Sequence, residues 1–113
     1  MVVNQQVIFI FSLPRSGSTL LQRILAAHKD IDTTNETWIL LPCLYTLKLR
    51  GIQAEYSHSL LVKAVEDFYH EFPNGKEDYL VEMRDFVMRL YVKANKKNAR
   101  YFLDKTPRYH LIV

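Results

Sequence analysis

Val7-Ile8-Phe9-Ile10-Phe11 is an unbroken apolar run of β-branched and aromatic residues that stops abruptly at Leu13-Pro14-Arg15-Ser16-Gly17. Without polar alternation it reads as a strand covered on both faces of a parallel sheet, and it is far below the ~18 residues that span a bilayer. Ser18 or Thr19 then opens a stretch in which Leu20, Leu21, Ile24, Leu25 and His28 recur at helical spacing. Strand, tight loop and helix in that order constrain the chain to an α/β fold, since a parallel strand needs neighbours on both sides.

The remainder is mostly helical. Trp38 to Leu47 is apolar around Pro42 and predicts a short, interrupted helix, with a turn at Arg50-Gly51. From Ser59, the residues Leu60, Leu61, Ala64, Val65, Phe68 and Phe72 form an amphipathic stripe that stops at Pro73-Asn74-Gly75. Tyr79, Leu80, Met83, Phe86, Val87, Leu90, Tyr91 and Ala94 mark a further helix, with Lys93, Lys96, Lys97 and Arg100 as a solvated basic terminus. Tyr101-Phe102-Leu103 reads as a second strand, and Thr106-Pro107 as the cap and first residue of another helix. Two strands cannot close a doubly wound sheet, so residues 1–113 are expected to form an incomplete part of one domain, with an open sheet edge available for self-association.

Several classes are disfavoured. A net charge of +3 suits an anionic ligand but does not call for nucleic acid. The single cysteine, Cys43, forms no internal disulfide, and no Cys/His cluster has metal spacing, so neither a stapled secreted scaffold nor a metal site is expected. No basic region precedes the first apolar run and no segment is long enough for a membrane span, which makes a cytoplasmic location the expectation. The Asn35-Glu36-Thr37 sequon then has no export signal to give it meaning.

The chemistry concentrates in Pro14-Arg15-Ser16-Gly17-Ser18-Thr19. Between a strand and a helix, these residues offer backbone N–H groups, hydroxyls and a positive helix end to an anion. The nucleotide-triphosphatase loop would need glycine at Ser12 and lysine at Ser18, and both are absent. The cation stands instead at Arg15, whose guanidinium can bridge two oxygens of a phosphate or sulfate group. Glu36 is either a general base or a charge in the first turn of the next helix, and His28 and His110 are further candidate bases. His28 reads more readily as a packing residue on the apolar face of the first helix.

Phe11-Ser12-Leu13-Pro14-Arg15-Ser16-Gly17-Ser18-Thr19-Leu20-Leu21 resembles the 5'-phosphosulfate loop of sulfotransferases that use 3'-phosphoadenosine 5'-phosphosulfate (PAPS). Ala27-His28-Lys29-Asp30 with Asn35-Glu36-Thr37 resembles the stretch that carries a catalytic glutamate in tyrosylprotein sulfotransferases and their bacterial relatives. Asp104-Lys105-Thr106-Pro107-Arg108 resembles their Lys-Thr-Pro segment. The resemblance implies a P-loop-like α/β sandwich around a parallel sheet, of which this chain is the N-terminal portion of a single domain. It implies that Arg15, Ser16, Gly17, Ser18, Thr19 and Lys105 bind the PAPS co-substrate without a metal, and that Glu36, Lys105 and Arg15 act on a sulfuryl group passing to an acceptor hydroxyl. The arginine and serine that hold the 3'-phosphate in such enzymes have no counterpart, so the isolated chain is expected to be inactive or weakly active. The competing readings are a nucleotide kinase with a degenerate phosphate loop and a non-catalytic fragment that binds an anion.

Overall fold

The computed structural model describes residues 5–12, 16–107 and 109–112, with only the backbone for His110 and Ile112. In chain order the elements are β1 (Gln6–Ile10), α1 (Ser18–Ala26), β2 (Ile31–Thr33), α2 (Leu40–Tyr45), α3 (His58–Tyr69), α4 (Lys76–Ala94) and β3 (Tyr101–Lys105), followed by a 3-10 turn at Tyr109–Ile112. The described residues fall into two compact units. One holds those between Gln5 and Trp38 and between Met88 and Leu111; the other is Ile39–Val87 with Ile112. No helix among the described residues is long and apolar enough to cross a membrane.

The first unit is α/β, built on a parallel three-stranded sheet of order β1-β3-β2. The last strand in sequence is therefore the middle one in space. Gln6 to Ile10 pair with Tyr101 to Lys105, and Ile31 to Thr33 pair with Tyr101 to Leu103. Because all strands run the same way, the segments leaving their C-terminal ends share one edge of the sheet, where α/β folds place ligands. Phe102 and Leu103 are fully buried, and Tyr91 of α4 stacks on Phe102 with centroids 5.1 Å apart.

Several expectations change. Ile31-Asp32-Thr33 is a strand too short to show a period, and its apolar content is a single isoleucine. The strand at Tyr101 runs on through Asp104 and Lys105, because a central strand can bury polar side chains that find partners. β1 lies at the edge of the sheet, with Phe9 exposed, and is not covered on both faces. On α1 it is Ser18 and Gln22 that are buried, while Leu20 and Ile24 are 65% and 61% exposed. His28 follows the end of α1 and is exposed, its Nδ1 accepting from the Asp30 N–H in a turn. Lys97 is more than a solvated terminus: its ammonium donates to the Ala26 carbonyl at the end of α1, at 2.6 Å, and to the Ile31 carbonyl at 3.0 Å.

The second unit packs Tyr69 of α3 against Tyr79 of α4, centroids 5.8 Å apart, with the Tyr79 hydroxyl 2.7 Å from Thr46 Oγ1. Gly75, at a φ of 56°, makes the turn between those helices, and Asp78 accepts from the backbone and side-chain amides of Asn74.

Asn95, just past α4, is nearly buried and clamps the entrance to the sheet. Its Nδ2 donates to Gln5 Oε1 and to the Ala99 carbonyl, both at 2.8 Å, and its Oδ1 accepts from the Ala99 N–H at 2.9 Å. Asn95→Ala leaves those buried groups unsatisfied and should cost about 1–3 kcal/mol. A urea titration of the variant, followed by far-UV circular dichroism, checks this as a lower midpoint.

Candidate functional site

Lys105, the last residue of the central strand, is 3% exposed. A lysine so buried needs its protons accepted. Its Nζ donates to Glu36 Oε2 at 2.8 Å and to Thr19 Oγ1 at 3.1 Å. Glu36 comes from the loop after β2 and Thr19 from the first turn of α1, so the pair joins segments that follow each of the outer strands. Gly17 precedes α1 at a φ of 84°, a left-handed conformation that a side chain would strain, and it starts the helix there. The first N–H groups of α1 have no acceptor within the helix.

The Lys105 hydrogen bond holds the Glu36 carboxyl below the usual carboxylate range, against a desolvation that pushes it up. The indole N–H of Trp38 acts in the same direction as Lys105, donating to Glu36 Oε1 at 3.2 Å. Glu36, Lys105 and Thr19 line a cavity of about 790 Å³ together with Gln22, Arg23 and Trp38. The floor of this cavity is pinned by Gln22, whose Nε2 donates to Thr33 Oγ1 at 2.8 Å and to the Thr34 carbonyl at 2.9 Å.

Of the residues singled out in the sequence, Glu36, Lys105 and Thr19 thus stand together. Ser16, Gly17 and Ser18 form the turn into α1, with Ser18 its first and nearly buried residue, and none of them makes a side-chain hydrogen bond to the pair. Leu13, Pro14, Arg15 and Arg108, and the side chain of His110, lie outside the described residues. Glu36 is not a first-turn charge of a helix, because α2 begins only at Leu40 and has no acidic residue in its first turn. Among the described residues no group of three or more His, Cys, Asp or Glu side chains converges as a metal site would need.

Residues 7–112 match the model of a family described as the sulfotransferase family. The nodulation protein NoeE of Sinorhizobium fredii (strain NBRC 101917 / NGR234) is 30% identical over 106 residues, which is 93% of this chain. The chain spans only 24% of the length of that relative. No solved structure matches it.

Behind the pair lies a cluster that the sequence pattern did not reveal. Asp104 is 1% exposed, and its Oδ2 accepts from the hydroxyls of Tyr91, Tyr109 and Thr37, the latter two at 2.7 Å. Thr106, fully buried, donates to Asp104 Oδ1 at 3.3 Å and accepts from the Trp38 backbone N–H at 3.2 Å. The signal available was the polar run Asp104-Lys105-Thr106 directly after an apolar strand, which is informative only once that strand is known to be central.

Burial first, and then the Asp104 carboxylate, hold the Tyr91 hydroxyl protonated well above the usual tyrosine range. Tyr109 is pushed the same way, again chiefly by burial. A group raised in the folded chain stabilises it fully below the unfolded value, near 10.0 for tyrosine, and that contribution is lost as pH climbs past it. Urea midpoints should therefore fall from about pH 10 upward, and fall less steeply in Tyr91→Phe.

Proposed function

The chain belongs to the sulfotransferase family, and from that premise we propose that the Glu36–Lys105 cleft serves transfer of a sulfuryl group from PAPS to an acceptor hydroxyl. The observation that carries this reading is a nearly buried lysine at the C-terminal end of the central strand, in contact with a carboxylate and with the first turn of a helix beside a cavity. The turn Ser16–Thr19 and the first N–H groups of α1 suit an anionic phosphosulfate, in the manner of a P-loop. Arg15, assigned to the same loop from the sequence, adds a bidentate cation.

In this mechanism Glu36 takes the proton of the acceptor hydroxyl as its oxygen bonds to sulfur. The bond from sulfur to the bridging oxygen of the 5'-phosphate breaks, and its electron pair leaves with adenosine 3',5'-bisphosphate. Lys105 neutralises that oxygen as charge develops on it. Without ligand, Lys105 is committed to Glu36. Turning to the phosphosulfate, it gives up that partner, and the carboxylate, no longer held down by the ammonium, becomes the stronger base.

Two substitutions separate the roles. Lys105→Ala should weaken adenosine 3',5'-bisphosphate binding about 10- to 100-fold, because it removes a charge-assisted contact. Glu36→Gln should leave that affinity unchanged or tighter, since a competing partner for Lys105 is lost, while transfer from PAPS falls about 10²-fold or more. Calorimetry with the bisphosphate and a PAPS transfer assay on phenols and alcohols, both run on the full-length protein, read the two effects. Unchanged affinity in Lys105→Ala, or wild-type turnover in Glu36→Gln, would overturn the assignment.

A further inference from the structure

Trp38 stands apart from the remaining aromatic residues of the chain. Its φ is 57°, a left-handed conformation that a bulky side chain adopts only when its surroundings impose it. The ring is not held there by burial, being 46% exposed. Polar contacts hold the residue instead. Its backbone N–H donates to Thr106 Oγ1, on the segment that carries Lys105, and its neighbour Thr37 donates to the buried Asp104. In that conformation the indole reaches back by two residues to Glu36 Oε1, while Lys105 takes Oε2. The two carboxylate oxygens are thus held by different donors from different directions, and the Trp38 ring lines the same cavity.

We propose that Trp38 is a positioning residue for Glu36, its indole N–H fixing Oε1 so that Oε2 faces Lys105 and, once Lys105 turns to the donor, the acceptor hydroxyl. The proposal rests on the reading of Glu36 as the base. A strained backbone at a residue whose side chain is nearly half exposed is explained by what the strain achieves, which is the return of the indole to the carboxylate. Among the described residues Lys105 of β3 is the charged partner of Glu36, and Arg23 of α1 lines the same cavity.

Trp38 is the single tryptophan of the chain, so its indole gives one side-chain resonance in a ¹H–¹⁵N spectrum. In the 113-residue chain that resonance should shift as pH falls through the ionisation of Glu36, below the usual carboxylate range, and Glu36→Gln should abolish the shift. Trp38→Phe keeps a ring but loses the N–H donor. In the full-length protein it should lower kcat about tenfold, leave KM for PAPS unchanged, and move the acidic limb of the kcat/KM profile to higher pH, because the carboxylate has lost a hydrogen bond that favoured its charged form. Trp38→Gly relieves the backbone and also removes the donor. It should lose kcat as Trp38→Phe does without losing thermal stability, which separates positioning from folding.

An indole resonance that does not follow Glu36 overturns the proposal and leaves the base assignment standing. A resonance that does follow it, with kcat and acidic limb unmoved in both Trp38 variants, overturns the positioning role. If Glu36→Gln turns over at the wild-type rate, the base reading falls and the positioning role falls with it, although the hydrogen bond remains.

Discussion

Lys105 cannot be buried alone at the end of β3, and much of the local architecture answers that requirement. An ammonium removed from water needs acceptors, and it finds them in Glu36 and Thr19, which the chain supplies from the segments following the outer strands. On either side of it Asp104 and Thr106 are equally dry and equally demanding. Their partners, Tyr91, Tyr109, Thr37 and the Trp38 backbone, are thereby located with respect to the central strand. The loop from Asn35 to Trp38 has no regular structure of its own, and it takes its position from the polar side chains of β3.

Alternation explains how adjacent residues serve different tasks. Successive side chains of a strand point to opposite faces, so Asp104 and Lys105 look away from each other. The loop residues Thr37 and Glu36 match them in turn, Thr37 to Asp104 and Glu36 to Lys105. One pairing is closed, a buried carboxylate surrounded by hydroxyls. The other opens on the cavity, where Glu36 remains more than a third exposed while Lys105 does not. The closed pairing anchors the loop, and the open one faces the cavity.

Local pattern carried the helices and the two longer strands, since Leu60, Leu61, Ala64, Val65 and Phe68, and likewise Met83, Phe86, Val87, Leu90 and Tyr91, recur at helical intervals of three and four, and Val7 to Phe11 is apolar throughout. It failed at β2, whose identity rests on pairing with Tyr101 to Leu103 far along the chain. It also failed on α1, where the apolar residues were expected inward and Ser18 and Gln22 are the ones buried. Gln22 is drawn inward by the hydroxyl of Thr33 and the carbonyl of Thr34, partners that periodicity cannot announce. Glu36 and Lys105 were legible by their resemblance to sulfotransferase segments. Trp38 was not, because an aromatic residue at the head of the apolar run Ile39-Leu40-Leu41 looks like core until its φ and its indole partner are known.

The pairing of Glu36 with Lys105 also sets a thermodynamic relation between proton and anion. As long as the ammonium faces the carboxylate, the carboxyl resists protonation. An anion that draws Lys105 to itself must therefore raise the proton affinity of Glu36. Linkage makes the effect reciprocal: protonating Glu36 frees Lys105 and favours the same anion by the same factor. In the proposed mechanism, a base that is weak before the donor arrives, and stronger only after the cation has turned to the donor, needs no separate gate, because a single ammonium cannot fully serve both partners at once.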